Sequence, residues 1–193
     1  MANPVLAQAG CNKGLALYEI GRIEESVICL DKALEIKPEY KEAWHYKGLA
    51  LLKIGKQQEA ISCFDEALHI DPKDATAWFN RGSALFDLGR LNDSISCYER
   101  ALEIDPKLLQ AWNDKGLCLH KLGRSKEAIT CYDNALNLDH RFAVAWCNKG
   151  DALAVLGRIH DAIEAYESFI LYAPTQCVSY IQQVKDIIGR LKR

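Results

Sequence analysis

Cysteine and histidine are the residues of this sequence that could bind a metal ion or act as nucleophiles. Thiolates and imidazoles are the usual protein ligands of zinc, and a thiolate activated by an imidazole can attack a carbonyl carbon. The 193-residue chain contains eight cysteines and five histidines, and its nearest approach to a metal-ligand set is Cys118-x-His120 together with Cys147. No close pair of cysteines supports a zinc site. We therefore keep a metal- or thiol-dependent enzyme only as a remote alternative.

Motifs of other enzyme classes are also missing from the sequence. It contains no phosphate-binding loop, dinucleotide fingerprint, zinc-protease helix or nucleophile elbow. The histidines do not recur at fixed positions, which is typical of surface or packed side chains; they are His45, His69, His120, His140 and His160. The sequence thus predicts a protein that is not an enzyme, with no catalytic residue, no bound metal and no cofactor.

Composition argues against two classes of partner. The 24 Lys and Arg are outnumbered by 26 Asp and Glu, whereas nucleic-acid-binding modules usually carry a basic excess. The first ten residues, MANPVLAQAG, lack the basic and apolar regions of an export signal, and no stretch approaches the ~18 apolar residues of a membrane span. We predict a cytoplasmic protein with reduced thiols that binds neither nucleic acid nor membrane.

A constant interval relates many residues of the chain. Four cysteines recur every 34 residues, at Cys29, Cys63, Cys97 and Cys131. The same interval relates a tryptophan column at Trp44, Trp78, Trp112 and Trp146 and a glycine column at Gly14, Gly48, Gly82, Gly116 and Gly150. We predict five repeats, at about 7–40, 41–74, 75–108, 109–142 and 143–176, and a C-terminal capping helix at 177–193. Residues 1–193 are expected to form a single domain.

Each repeat is predicted to form two helices. In residues 41–74, apolar residues fall at helical spacing on both sides of Gly55, where a left-handed residue would end the first helix. Pro72 would stop the second helix. The small residues Gly48 and Ala60 would let the two helices approach closely. Because one hairpin cannot bury both faces of its helices, neighbouring hairpins must stack.

The segment AWHYKGLALLKIGKQQEAISCFDEALHIDP carries these columns and resembles a tetratricopeptide repeat. The resemblance covers nearly all of residues 7–174. It implies an all-α fold, a right-handed α-solenoid (superhelix) of helix-turn-helix hairpins. It also implies that the first helices line a concave groove, which commonly binds peptides or helices of other proteins. The sequence departs from the family pattern beside the first glycine, where basic residues replace the usual leucine.

The cysteine and basic columns have structural interpretations. Packed helices lie ~8 to 10 Å apart, too far for equivalent cysteines to form disulfides or share a zinc ion. We interpret the recurring cysteines as packing residues, whereas Cys11 and Cys147 fall in a column expected to be exposed. The basic column is expected to pair with acids of the second helices; it contains Lys13, Lys47, Arg81, Lys115 and Lys149, and the acids are Asp31, Asp65, Glu99, Asp133 and Glu167.

The resemblance assigns candidate binding residues to the first helices. In some family members, asparagines two residues before the first glycine grip a peptide main chain, because an amide offers both a donor and an acceptor. The full predicted set is Asn12, His45, Tyr46, Leu49, Leu52, Phe79, Asn80, Ser83, Phe86, Asn113, Asp114, Leu117, His120, Asn148 and Asp151. The apolar members would either form an exposed floor or lie buried between adjacent first helices.

These patterns predict a protein–protein interaction scaffold that binds a peptide or a helical segment of a partner protein. Chaperone-binding family members hold a terminal carboxylate with a Lys and an Asn four residues apart, and that clamp is absent here, so chaperone C-terminal tails are not expected partners. The alternative is a self-associating scaffold, in which the groove receives the terminal helix or an end of another copy of the chain.

Overall fold

The computed structural model of the chain describes residues 4–192. They form eleven α-helices, and no β-strand occurs among them. The helices are α1 Pro4–Glu19, α2 Ile23–Ile36, α3 Lys41–Lys53, α4 Gln57–Ile70, α5 Ala75–Asp87, α6 Leu91–Ile104, α7 Leu109–Lys121, α8 Ser125–Leu138, α9 Ala143–Val155, α10 Ile159–Tyr172 and α11 Val178–Leu191. Within residues 4–192, no helix combines the length and the apolar composition of a membrane span.

The helices belong to two compact units, one ending at Asp105 and the other beginning at Pro106. Unit 1 contains α1 to α6, and unit 2 contains α7 to α11. Within each unit, consecutive helices pack as antiparallel hairpins, and neighbouring hairpins stack on one another. The predicted all-α solenoid class, built from helix hairpins, is confirmed, while the single domain of residues 1–193 stays a prediction. Helix α11 lies within the predicted capping segment, whose last residue is outside the described residues.

The turn inside each hairpin depends on a glycine. At Gly55 the backbone has φ +75°, which costs little only without a side chain. The Gly55 amide donates to the Leu52 carbonyl at 3.1 Å, and the Lys56 amide donates to the Leu51 carbonyl at 2.9 Å. These bonds satisfy carbonyl groups at the end of α3. The chain can therefore reverse within three residues and begin α4.

The other glycine column lets the helices of each hairpin touch. A Cβ atom built on Gly48 would lie 2.7 Å from Cε1 of Phe64, which is fully buried on α4. The same close approach joins Gly82 to Tyr98 and Gly116 to Tyr132. Glycine is thus required at these positions because the aromatic ring of the second helix occupies the space of its side chain.

The tryptophans of the recurring column form hydrogen bonds that connect the start of a first helix to the turn before it. The indole N–H of Trp44 donates to the Pro38 carbonyl at 2.8 Å, and that of Trp78 donates to the Pro72 carbonyl at 3.1 Å. Trp146 makes the same bond at 2.8 Å, although His140 replaces the proline there. The carbonyl position, rather than the proline ring, is therefore what the indole requires.

The expected pairing of the basic and acidic columns is confirmed at three positions. Nζ of Lys47 lies 2.6 Å from Oδ1 of Asp31, and Nζ of Lys149 lies 2.6 Å from Oδ1 of Asp133. Arg81 binds Asp65 in the same way, with 2.6 Å between Nε and Oδ1. Each cation pairs with the second helix of the preceding repeat, so these ion pairs connect successive hairpins.

We expect Lys47→Glu to destabilise the protein by about 1 kcal/mol, because it sets two acids side by side and removes the contact of the Lys47 ammonium with Trp44. Adding Asp31→Lys should restore part of the loss, as measured by urea unfolding. Lys56→Glu is the matched control, since Lys56 forms an exposed pair with Glu59 three residues away on the same hairpin. A rescue by Asp65→Lys but not by Asp31→Lys would contradict this pairing.

Candidate functional site

All eight cysteines, each within the described residues, are present as thiols rather than disulfides. The prediction that Cys11 and Cys147 are exposed is wrong, because each is only 3% exposed. Cys11 packs in a cluster with Leu30 and Tyr40, and the Sγ atom of Cys147 lies 3.2 Å from the hydroxyl oxygen of Tyr180 on α11. Side chains from outside the hairpin therefore cover both thiols.

The residues of the remote metal alternative do not come together. Nδ1 of His120 lies 3.0 Å from the Ser125 hydroxyl, and Cys147 contacts Tyr180 instead of Cys118 or His120. Within residues 4–192, the one group whose ligand atoms lie within 4.8 Å of one another is His160, Asp161 and Glu164. These three follow one another along α10, and Asp161 is already paired with Arg158.

The candidate binding residues of unit 1 lie on its first helices, and we call this surface the unit 1 face. Its members are Asn12 on α1, His45, Tyr46, Leu49 and Leu52 on α3, and Phe79, Asn80, Ser83 and Phe86 on α5. Asn12 is exposed and the others are half-buried. Leu49 and Leu52 pack against the core cluster around Phe64. The apolar members are thus neither a fully exposed floor nor fully buried.

A polar contact connects α3 and α5 on the unit 1 face. Nδ2 of Asn80 lies 3.4 Å from Nε2 of His45, and an amide nitrogen can only donate, so Nε2 accepts and the proton of His45 resides on Nδ1. That Nδ1 is buried and has no partner among the described residues. Burial, as the main cause, lowers the pKa of His45. The imidazole is therefore neutral at physiological pH.

The pKa of His45 predicts a pH-dependent stability. The unfolded chain takes up a proton at His45 near pH 6.5, whereas the folded chain resists it, so stability is fully present above about pH 6.5 and is lost as the pH falls through the folded value. We expect the His45→Phe variant to lose less stability than the wild type between about pH 7.5 and 5.5. Phenylalanine occupies the equivalent position, Phe79, in the next repeat. Urea unfolding at both pH values checks this, and equal losses would contradict it.

The candidate residues of unit 2 form the unit 2 face, which is more polar. Its members are Asn113, Asp114, Leu117 and His120 on α7 and Asn148 and Asp151 on α9. Asn113 is buried, and the others are half-buried. Nδ2 of Asn148 donates to Oδ1 of Asn113 at 3.0 Å, and Nδ2 of Asn113 donates to Oδ1 of Asp114 at 2.9 Å. A chain of amides therefore holds Asp114 in position from α9.

The sequence did not identify the tyrosines of the second helices as neighbours of these faces. The Tyr166 hydroxyl donates to Oδ1 of Asp151 at 2.7 Å, and the Tyr98 hydroxyl lies 3.4 Å from the Ser83 hydroxyl. Ser83 and Asp151 each follow the glycine under which the tyrosine ring packs. The sequence does show tyrosine at positions 98, 132 and 166, where the second repeat has Phe64. Only the hairpin geometry shows that these hydroxyl groups reach the candidate faces.

Comparison with protein-family models gives matches along most of the chain. A model described as tetratricopeptide repeat matches residues 75–108 and 109–142, and a second model with that description matches residues 143–176. A model described as TPR repeat matches residues 14–55 and 48–89. No curated protein matches the chain.

Solved structures of similar fold include three further proteins. MamA from Desulfovibrio magneticus RS-1, from residue 41 to its end, is 19% identical with a TM-score of 0.81, over 86% of this chain and 94% of that one. YrrB, a TPR protein with an unusual peptide-binding site, is 22% identical with a TM-score of 0.75, over 90% of each chain. PilF from Pseudomonas aeruginosa is 18% identical with a TM-score of 0.79, over 96% of this chain and 88% of that one.

Proposed function

The chain belongs to the tetratricopeptide repeat family, and from this membership we propose that it is a non-enzymatic scaffold that binds an extended peptide segment of a partner protein. The binding surfaces are the unit 1 face and the unit 2 face. The family supports the general role of a protein-interaction scaffold. YrrB, which shares the fold, has a peptide-binding site, and this supports a peptide as the ligand.

The observation that carries the proposal is the half-buried mixture of aromatic, aliphatic and amide side chains on α3 and α5. Phe79 packs against Tyr98 with 5.7 Å between ring centroids, so its ring is held in place while part of it stays accessible. Such preorganised aromatic rings lose little conformational entropy on binding. Phe79, Phe86 and Leu49 would contact the apolar side chains of a peptide.

Amide side chains would bind the peptide main chain. Asn80 makes one long contact, to His45, and so keeps its carbonyl oxygen for a main-chain N–H. Asn148 donates one N–H to Asn113, and its oxygen is likewise suited to a main-chain donor. Exposed Asn12 has its Oδ1 bound by Gln8, which leaves its amide nitrogen to donate. Asn12 and Asn80 would fix the course of a peptide on the unit 1 face, Asn148 would do so on the unit 2 face, and the apolar contacts would supply most of the affinity.

The test starts from peptides selected with the wild-type protein from a random displayed library. Affinities of the selected peptides are then measured for Phe79→Ala with Asn80→Ala, and we expect a loss of about tenfold or more. The control is Ile28→Ala with Glu24→Ala, which removes exposed side chains of α2. Failure to select any peptide, or equal binding by both variants, would contradict the proposal.

Self-association is a second candidate, and one observation favours it. Gly10 occupies the tryptophan position of the first repeat, and a pocket of about 540 Å³ lined by Leu6, Gly10 and Ile36 lies beside it. Leu6 at its edge is 58% exposed, so a bulky apolar side chain from another copy could enter. Molar mass measured by light scattering across a concentration series decides between the candidates, because a monomer at all concentrations excludes self-association.

A further inference from the structure

Two carboxylates on the unit 2 face have no cationic partner among residues 4–192. Asp114 accepts one hydrogen bond, from Asn113 at 2.9 Å, and Asp151 accepts one, from the Tyr166 hydroxyl at 2.7 Å. Lys149, two residues before Asp151 in the sequence, is paired with Asp133 of the preceding repeat. Each carboxylate thus has a neutral donor on one oxygen, and its second oxygen can accept a further hydrogen bond.

A buried hydroxyl group that has no partner within the described part of the chain lies beneath the same face. In two repeats the tyrosine hydroxyl of the second helix contacts the residue that follows the glycine, as Tyr98 does with Ser83 and Tyr166 does with Asp151. In the repeat between them the equivalent residue is Leu117, which cannot form a hydrogen bond. The Tyr132 hydroxyl is buried and has no hydrogen-bond partner among the described residues, although a buried polar group normally has one.

The charges of the two carboxylates affect the pKa of this hydroxyl. Burial raises the pKa of Tyr132, and the negative charges of Asp151 and Asp114 raise it further. The Tyr132 ring packs against Gly116, which follows Asp114 by two residues on α7. Burial also raises the pKa of the Asp114 carboxyl, and the hydrogen bond from Asn113 only partly opposes this. The face therefore holds partly desolvated negative charge that a cation would stabilise.

We propose that the unit 2 face contains a subsite for a cationic side chain, an arginine or a lysine, of the bound peptide. Asp114 and Asp151 accept hydrogen bonds from the cation, and the Tyr132 hydroxyl becomes a third acceptor once the half-buried Leu117 side chain turns aside. Charge-assisted hydrogen bonds of this kind are stronger than neutral ones. The inference rests on the proposed function, because the cation is part of a peptide that the unit 2 face binds.

A side chain fits the subsite better than a divalent metal ion does. A metal ion needs several ligand atoms around one point. Within residues 4–192, neither Asp114 nor Asp151 belongs to a group of three His, Cys, Asp or Glu residues whose ligand atoms lie within 4.8 Å of one another. A guanidinium or ammonium group is larger and can reach separate acceptors with separate N–H groups. Peptide affinity should therefore be unchanged by a chelator, and loss of binding in the chelator would overturn the assignment to a side chain.

The test uses peptides selected from a random displayed library and measures their binding to three proteins. These are the wild type, the double variant Asp114→Asn with Asp151→Asn, and the control Glu164→Gln with Asp186→Asn. The control removes the same charge from exposed residues. We expect wild-type peptides to carry Arg or Lys at one fixed position. Replacing that residue with norleucine should weaken binding about tenfold or more to the wild type and to the control. It should have little effect on binding to the double variant.

The outcomes separate this inference from the proposed function. Peptides without a fixed basic position, or an equal norleucine effect in all three proteins, would overturn the subsite and leave peptide binding intact. If no peptide is selected, the proposed function fails with it. Tyr132→Phe should raise the thermal midpoint of the free protein by about 2 to 4 °C and weaken the basic peptide more than the norleucine peptide. Equal affinities of the variant and the wild type for the basic peptide would overturn the part assigned to the hydroxyl.

Discussion

Replacing Gly48 with valine is expected to lower the free energy of unfolding by about 3 kcal/mol. The new Cβ would lie 2.7 Å from Cε1 and 2.8 Å from Cζ of Phe64, well inside the normal contact distance. The Phe64 ring is fully buried on α4 and cannot turn away, so α3 and α4 must separate. That separation also opens the contacts of Ala60, which is 0% exposed. Urea unfolding, monitored by helical circular dichroism, measures the loss.

Gly189→Val provides the control for this prediction. Gly189 also lies within a helix, α11, but a Cβ atom built on it has no neighbour within 4 Å. Valine at that position should be neutral or slightly stabilising, because glycine is the poorer helix former. A loss at Gly189 as large as that at Gly48 would mean that helix propensity, rather than the Phe64 contact, controls the effect. The same contrast should hold for Gly116, which packs under Tyr132.

The repeated hairpins could be predicted from the sequence because the same residue type recurs at each packing position in successive repeats. A single glycine at position 48 would be ambiguous, but glycine at every equivalent position indicates a close helix contact. The proline and tryptophan columns had the same advantage, since their fixed offset matches the hydrogen bond from Trp44 to the Pro38 carbonyl. Repetition therefore converts weak local preferences into a strong prediction of the fold.

The covering of particular side chains could not be predicted in this way. Column position gives the face of a helix on which a residue lies, but it does not say which other element covers that face. Cys147 was expected to be exposed and is buried because Tyr180, on the non-repeating helix α11, reaches its thiol. Lys47 was expected to pair with an acid of the column on the second helices, but only the stacking of hairpins selects Asp31 of the preceding repeat.

The unit 2 face illustrates a further limit of the sequence. Asn148 and Asp114 were assigned to one binding column, and the chain of hydrogen bonds that connects them through Asn113 depends on side-chain orientation across two helices. Among residues 4–192 the Tyr132 hydroxyl has no hydrogen-bond partner, because leucine, rather than serine or aspartate, occupies position 117. Such a mismatch involves residues 15 positions apart on different helices, so it becomes visible only when the hairpin is folded.

Alkylation of the native protein is expected to be very slow at Cys63 and Cys147. Burial, as the main cause, raises the pKa of each thiol from its ordinary 9.0 to about 11, and only the thiolate reacts with iodoacetamide. A rise of two pH units reduces the thiolate fraction at neutral pH roughly 100-fold, and the limited exposure of both side chains slows the reaction further. Mass spectrometry of native and urea-unfolded samples, labelled for the same time, measures the ratio.

The outcome bears directly on the thiol-dependent alternative. A catalytic cysteine needs a lowered pKa and access to its substrate, and Cys147, whose pKa is raised by burial, has neither. Half-buried Cys177 on the last turn before α11 serves as the internal comparison within the same sample. If Cys147 were labelled in the native protein as fast as in the unfolded one, its thiol would be accessible and ionised, and the interpretation of the buried cysteines as packing residues would be wrong.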